Sequence, residues 1–164
     1  MVFLVFVCGS SRLNAQANVT ARASAEIITS ISALEGAILN FGRFSPEEIG
    51  GEVVIAPDGS RYSSGTVVLG GGLYNQAVFY ITGQPEYNVA ISLPTMPTML
   101  TNLSNGKSME VRNWTSSPSL ESDLTLPSNG SLNLNMGATL KVGDFNENPV
   151  GLYSGTYIIT FSYN

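Results

Sequence analysis

Gly151-Leu-Tyr-Ser-Gly-Thr-Tyr-Ile-Ile-Thr-Phe-Ser-Tyr-Asn164 closes the chain, and its second half sets an apolar or aromatic side chain at every other position: Tyr157, Ile159, Phe161 and Tyr163. Successive side chains of extended backbone point to opposite faces, so period two describes a strand with one greasy face and one polar face, interrupted only by Ile158. The segment predicts a terminal β-strand, opened by Gly151 to Gly155, whose apolar side needs cover.

Upstream, the chain reads as one short strand after another. Tyr87, Val89, Ile91 and Leu93 alternate behind Gln84-Pro85; Leu132, Leu134 and Met136 alternate up to Gly137; Ala138, Leu140 and Val142 resume beyond it. Gln76 to Thr82 is a continuous apolar run suited to a central strand. Strands are also expected over Ile38 to Phe44, Glu52 to Ala56 and Thr66 to Leu69, and around Met109 and Val111. Pro57-Asp58-Gly59-Ser60 and Gly70-Gly71-Gly72 are turn signals between them. Pro94 to Asn105 and Ser116 to Ser128 read as loops, and Asp144 to Pro149 as a connection into the terminal strand. No 3.6-residue apolar period is sustained, and the best helical candidate, Ser45 to Gly50 with Pro46 at a first-turn position, is one turn at most. The expected fold is all-β: a two-layer sandwich of about seven strands over residues 33–164, preceded by an N-terminal extension over residues 18–32.

Composition agrees and removes several functions. A chain of 164 residues is one domain long. Only 12% of its residues are charged, and seven basic against twelve acidic side chains leave a net charge of −5. No basic stripe can neutralise phosphates, so nucleic acid is not an expected partner. The chain has no histidine, which removes the commonest general base and transition-metal ligand. No Gly-x-Ser-x-Gly elbow is present. The acidic pairs Glu121 with Asp123 and Glu47 with Glu48 lie in polar stretches with nothing apolar to raise a pKa, so the two-carboxylate chemistry of glycoside hydrolysis is not expected either. Asp144-Phe-Asn146-Glu-Asn148 begins like a calcium loop, but Pro149 stands where such a loop needs glycine and Gly155 where it needs a bidentate glutamate. A hairpin connection with Asx turns is the simpler reading. Neither enzyme activity, cofactor nor metal is expected.

The N-terminus reads as an export leader over residues 1–17. Val2 to Val7 form an apolar run too short to span a bilayer, and Ala15-Gln16-Ala17 suits signal peptidase, although no Lys or Arg precedes the run. Cleavage leaves Asn18 first and removes Arg12 and the only cysteine, Cys8, whose neighbours Phe6-Val7 make a poor lipid-anchor motif. No membrane span is expected in the mature chain. Residues 18–27 form a second alternating segment. Val19, Ala21, Ala23, Ala25 and Ile27 face one way, while Thr20, Arg22, Ser24 and Glu26 face the other. Small residues in the middle of an apolar face suit insertion into a tight groove, because a bulky side chain would need a deeper pocket. The same pattern also suits an ordinary first strand of the domain itself, since period two does not say which molecule supplies the partner.

Gly151 is fourteenth from the end, alternating hydrophobics come after it, and Tyr163 is penultimate; this arrangement resembles the C-terminal signature of the subunits of chaperone-usher pili. Leu39-Asn-Phe-Gly42, Val78-Phe-Tyr-Ile-Thr-Gly83 and the Gly-x-Tyr-x-Gly-x-Tyr ending at Tyr157 add a likeness to a family of small exported bacterial β-domains of unknown function with a pilin-like ending. The resemblance implies an immunoglobulin-like sandwich one strand short, completed by a donor strand from a neighbouring subunit. It assigns Val19, Ala21, Ala23, Ala25 and Ile27 to the donor and Gly151, Tyr157, Ile159, Phe161 and Tyr163 to the acceptor groove. It further implies a head-to-tail homopolymer of identical subunits, a periplasmic chaperone, an outer-membrane usher, and export through the periplasm to an extracellular filament. Many pilins hold one disulfide, and a mature chain without cysteine departs from them. The alternative is a self-complemented monomeric surface domain, a carbohydrate-binding, adhesin or coat-type protein, in which Trp114 and Tyr74 could stack on sugars. Four Asn-x-Ser/Thr sequons, at Asn18, Asn102, Asn113 and Asn129, suit chance in a chain rich in these residues.

Overall fold

The structure, a computed structural model, describes residues 16–120 and 124–164. The apolar run and Cys8 of the expected leader lie outside the described residues, as do Glu121 and Asp123. The described residues form eleven strands and no helix: β1 (Ser32–Ala37), β2 (Phe44–Ile55), β3 (Arg61–Leu69), β4 (Ala77–Thr82), β5 (Asn88–Ser92), β6 (Thr98–Asn102), β7 (Ser108–Ser117), β8 (Leu124–Thr125), β9 (Ser131–Val142), β10 (Tyr153–Ser154) and β11 (Thr160–Tyr163). The chain is all-β. Among the described residues no helix is long and apolar enough to cross a membrane.

The larger sheet is built around β9. Residues 131–136 of this strand pair with β4, residues 138–142 pair with β2, and β7 runs along the opposite edge. The two alternating runs on either side of Gly137 thus belong to one twelve-residue strand. Gly137 does not end it. A Cβ there would overlap the carbonyl oxygen of Ile55, so glycine lets β2 approach where the sheet curls from one partner to the next. Beyond β4 lies β1, beyond β7 lie β6 and β10, and β3 flanks β2; β11, β5 and β8 form a second sheet with β5 in the middle.

The core has two parts. Val53, Ile55, Val111 and Leu140 centre one cluster and Ala77, Ile81, Leu134 and Met136 the other, with Leu39 and Trp114 touching both. Full burial of each Val, Leu or Ile contributes about 1.5–3 kcal/mol.

Five stretches differ from the sequence expectation. Ser116 to Ser128, read as a loop, takes in the end of β7, paired with β9, and the short β8, paired with β5. Ser45 to Gly50 is not a helical turn: it lies in β2, where Pro46 pairs with Val67 and the register slips before Gly51. Pairing with β9 begins only at Gly51, so Pro46 sits where the strand has a single neighbour and a missing N–H breaks no second ladder. The Thr66 hydroxyl closes the irregularity, donating to the Gly50 carbonyl and accepting from the Ile49 N–H. Ile38 to Phe44 is a connection pinned by a bridge between Asn40 and Asn75, and the strand lies just before it, as β1. Pro94 to Asn105 contains β6, held by buried Thr98 and Asn102. The tail is not one strand but two. β10 pairs with β6 in the larger sheet, β11 pairs with β5 in the smaller, and residues 155–159 between them pair with neither. Gly155 marks this crossing, where a Cβ would overlap the Met99 carbonyl.

Candidate docking groove

The unpaired stretch 155–159 leaves one open edge, and β1, which among the described residues pairs with β4 alone, leaves another. A groove of about 1110 Å3 lies between them. Ala33, Glu35 and residues 38–46 line one wall, residues 150–159 and Phe161 the other. Phe79, Met109 and Leu140 form its floor and are at most 9% exposed, so the groove opens directly onto the core. The walls run in opposite directions. Phe161 meets Phe79 with ring centroids 6.1 Å apart at the end where β1 begins, while Phe44 and Tyr153 pack on the other core cluster at the far end.

The rim is apolar as well. Ile38, Phe145, Val150, Leu152 and Ile158 line the groove and are all more than half exposed. Uncovered apolar surface beside unpaired backbone is a template for strand addition. Tyr157, Ile159 and Phe161 turn inward at every second position, yet each is only half-buried, because the groove side has no cover.

Gly151 and Tyr163 sit at opposite ends. A Cβ on Gly151 would overlap the side-chain amide of buried Asn102, which explains the glycine by close approach. Tyr163 does not line the groove; its hydroxyl accepts from the Gln84 N–H at 2.6 Å and donates to the Thr29 carbonyl at 2.8 Å, and its ring meets Tyr87 edge-on. The Thr29 N–H donates in turn to Gln84 Oε1. This three-residue clamp fixes the point where the N-terminal arm leaves the domain. The arm itself has no strand partner among the described residues: residues 16–31 are outside every strand, Ala21, Ala23 and Ala25 are exposed, and Val19 and Ile27 are 89% and 99% exposed.

The groove is not wholly apolar. Trp114 lies beneath Tyr157 with ring centroids 4.7 Å apart, and the Tyr157 hydroxyl is buried with no hydrogen-bond partner among the described residues. Burial pushes this phenol up to about 12, and the Glu35 carboxylate on the facing wall adds to the rise. A folded-state value above the ordinary value of about 10 means that stability is fully present below pH ~10 and is lost as pH rises through ~12. Denaturant titrations at stepped alkaline pH should therefore show wild type losing stability relative to Tyr157→Phe across that window. A constant difference would place the hydroxyl in water.

The remaining candidates have local roles. Trp114 packs into both core clusters, and Tyr74 is stacked under the Arg61 guanidinium, 4.3 Å from the ring centre. Asp144 accepts the backbone N–H groups of Glu147 and Asn146, which hold its carboxyl below the usual carboxylate range, and Asn148 bonds the Gly143 N–H and the Ser108 carbonyl. These are loop-closing contacts of the Asx-turn kind. Glu47 and Glu48 are exposed on the irregular part of β2. Sequence reading missed β1, the floor and the clamp. Ala33 and Glu35 give β1 no apolar alternation, and a clamp joining residues 29, 84 and 163 has no local signal.

A search of curated proteins finds no match to the chain. A family model described as a domain of unknown function, DUF4402, matches residues 30–163. The match takes in every strand and both walls of the groove and starts just after the Thr29 clamp, leaving out the exposed arm. The chain belongs to the DUF4402 family, a domain of unknown function.

Proposed function

We propose that the chain is a structural subunit of an extracellular filament that polymerises by donor-strand exchange. On this reading the domain is an incomplete immunoglobulin-like sandwich, and residues 18–27 of one copy complete the next. The role is mechanical, without catalysis. Its route is secretion through the periplasm to the cell surface, with a chaperone covering the groove until an usher hands the subunit on.

The observation that carries this reading is the apolar groove between two unpaired edges, open to the core along its floor. The arm supplies the occupant: it alternates in sequence, lies outside every strand, is exposed along residues 18–27 and is rich in alanine. Insertion into its own groove is the less favourable course. The arm leaves at the Phe161 end, so filling its own groove needs a sharp reversal within Ile28-Thr29-Ser30-Ile31, a stretch without Gly, Pro, Asn or Asp. Thr29 is also held by Tyr163 and Gln84. A neighbouring copy meets neither obstacle. Head-to-tail donation of this kind is heterologous and generates an open fibre.

Electron microscopy and size-exclusion chromatography of the purified full chain test the proposal. Filaments or a ladder of oligomers that resist dilution are expected. A compact monomer as the sole species would favour the self-complemented surface domain and overturn the filament reading.

A further inference from the structure

The end of the domain remote from the Thr29 clamp carries uncovered apolar side chains. β9 runs away from the clamp end, where Ser131 pairs with Thr82, to Val142, and the connection after it brings Phe145, Val150 and Leu152 to the far mouth of the groove. β10 pairs with β6 through Tyr153 and Asn102, and the same antiparallel register carried one step further sets Leu152 beside Leu103. All four residues are exposed, Leu103 at 87%. Leu103 is not a lining residue, so the apolar surface continues past the groove onto the end of the domain. A strand lying in the groove leaves it in water.

The reach of the arm decides what covers that end. Residues 18–27 extend for ~33 Å, most of the length of a wall that runs from Val150 to Phe161. Only Ile28 separates Ile27 from the clamped Thr29, and two steps of extended chain span at most about 7 Å. A donating domain must therefore abut the mouth at which its arm enters. The Phe161 mouth already holds the acceptor's own clamp and outgoing arm. A donor there would meet its like face to face, and reciprocal exchange would close the pair, whereas entry at the far mouth keeps the assembly open.

Resting on the donor-strand reading, we infer that the apolar end face made by Leu103, Phe145, Val150 and Leu152 is a docking surface for the clamp end of the copy that donates the strand. Each joint then consists of an inserted strand and a domain-to-domain contact. The clamp end offers apolar surface to match. Pro85 follows Gln84 in the chain, the Glu86 N–H donates to the Leu126 carbonyl and so brings Pro127 alongside, and both prolines are exposed. Apolar surface uncovered on both ends of the free chain is removed from water on both at once when the ends meet. With one residue between strand and clamp, such a joint resists bending.

The test compares filament assembly by the purified full chain, read by light scattering and by filament curvature in electron micrographs, for wild type, Leu103→Asp and Met96→Asp. Met96 is the control, exposed in the loop between β5 and β6 and outside the groove lining. Leu103→Asp should raise the concentration needed for filaments about tenfold, the effect of losing one buried leucine from an interface, and Met96→Asp should leave it unchanged. Thermal unfolding of the Leu103→Asp monomer should match wild type, because the residue is exposed there. A second variant does not depend on that substitution. Gly-Ser-Gly-Ser inserted between Ile27 and Ile28 should give filaments that bend more sharply, since slack lets the domains part, and adding Leu103→Asp to it should cost little more. Wild-type assembly and curvature in Leu103→Asp overturn the docking, as do inserted-linker filaments as straight as wild type or a closed dimer in place of filaments. If assembly in these cases still needs residues 18–27, donor-strand exchange stands without the docked joint. Filaments that persist without those residues remove both.

Discussion

Tryptophan in place of Ala23 should abolish filament formation, with a loss of at least about a hundredfold in assembly, while Arg22→Glu next to it should leave filaments intact. Ala23 is the central residue of the arm's apolar face and Arg22 belongs to the opposite face. Extra volume in a closely packed site costs about 1–3 kcal/mol even where neighbours can adjust, and about 1.4 kcal/mol is tenfold in an equilibrium. A tryptophan on a strand that must lie flat between two walls sits at the upper end of that range. The substitution should not disturb the folded domain, because the arm is exposed along residues 18–27 and Val19 and Ile27 are 89% and 99% exposed in the isolated chain. Thermal unfolding of monomeric Ala23→Trp should therefore match wild-type monomer, and negative-stain microscopy should show no fibres. Deleting residues 18–27 should give the same two results. Equal loss from Arg22→Glu would mean that the faces are assigned the wrong way round.

On the donor-strand proposal, insertion of residues 18–27 would draw on terms that are small singly. Burying Val19 and Ile27 contributes about 1.5–3 kcal/mol each, and each new ladder hydrogen bond about 0.5–1.5 kcal/mol net. Several such bonds along both open edges, with no competing strand pairing for the arm in the free chain, favour a link that persists until the receiving domain itself opens.

Much of the fold was legible because period-two alternation reports burial on one face. Leu132 to Val142, Tyr87 to Leu93 and Tyr157 to Tyr163 all carry that signal and all place the expected side chains inward. The signal failed where burial and alternation part company. Glu35 sits on the core-facing side of β1, where a charged side chain breaks the apolar alternation, so the strand that makes one wall of the groove carried no period-two signal. Pro46 and the two glutamates after it look like a helix start, yet the ladder with β3 and the Thr66 hydroxyl outweigh that local preference. At the tail, the chain changes sheets between residues 155 and 159, and nothing in an alternating pattern says which sheet provides the partner. The groove was half legible for the same reason. The inward set Tyr157, Ile159 and Phe161 can be read from the sequence, whereas Phe79, Met109 and Leu140 reach its floor only through tertiary pairing.

Gly137→Val should strongly destabilise the larger sheet, by about 3 kcal/mol or more, the range reached by substitutions that force a clash in a core. Propensity argues in the other direction. Valine is a favoured strand residue, and a glycine inside a strand costs roughly 0.5–1 kcal/mol, so a reading of local sequence expects stabilisation. The deciding fact is the approach of β2: a Cβ on residue 137 would overlap backbone atoms of Ile55 and Ala56, which cannot swing aside as a flexible side chain could. Ile55 is fully buried and pairs with Ala138, so relieving the overlap means pulling β2 off β9 and opening the cluster that Val53, Ile55 and Leu140 share. Leu140 is also part of the groove floor, so the same change should weaken strand acceptance beyond its effect on stability. Gly71→Ala is the control, since nothing lies within 4 Å of a Cβ there, and it should stay within about 0.5 kcal/mol of wild type. Urea unfolding followed by the fluorescence of the single tryptophan, Trp114, reads both variants. A Gly137→Val midpoint equal to or above wild type would show that propensity outweighs contact at this position, and that β2 does not lie against β9 at Gly137.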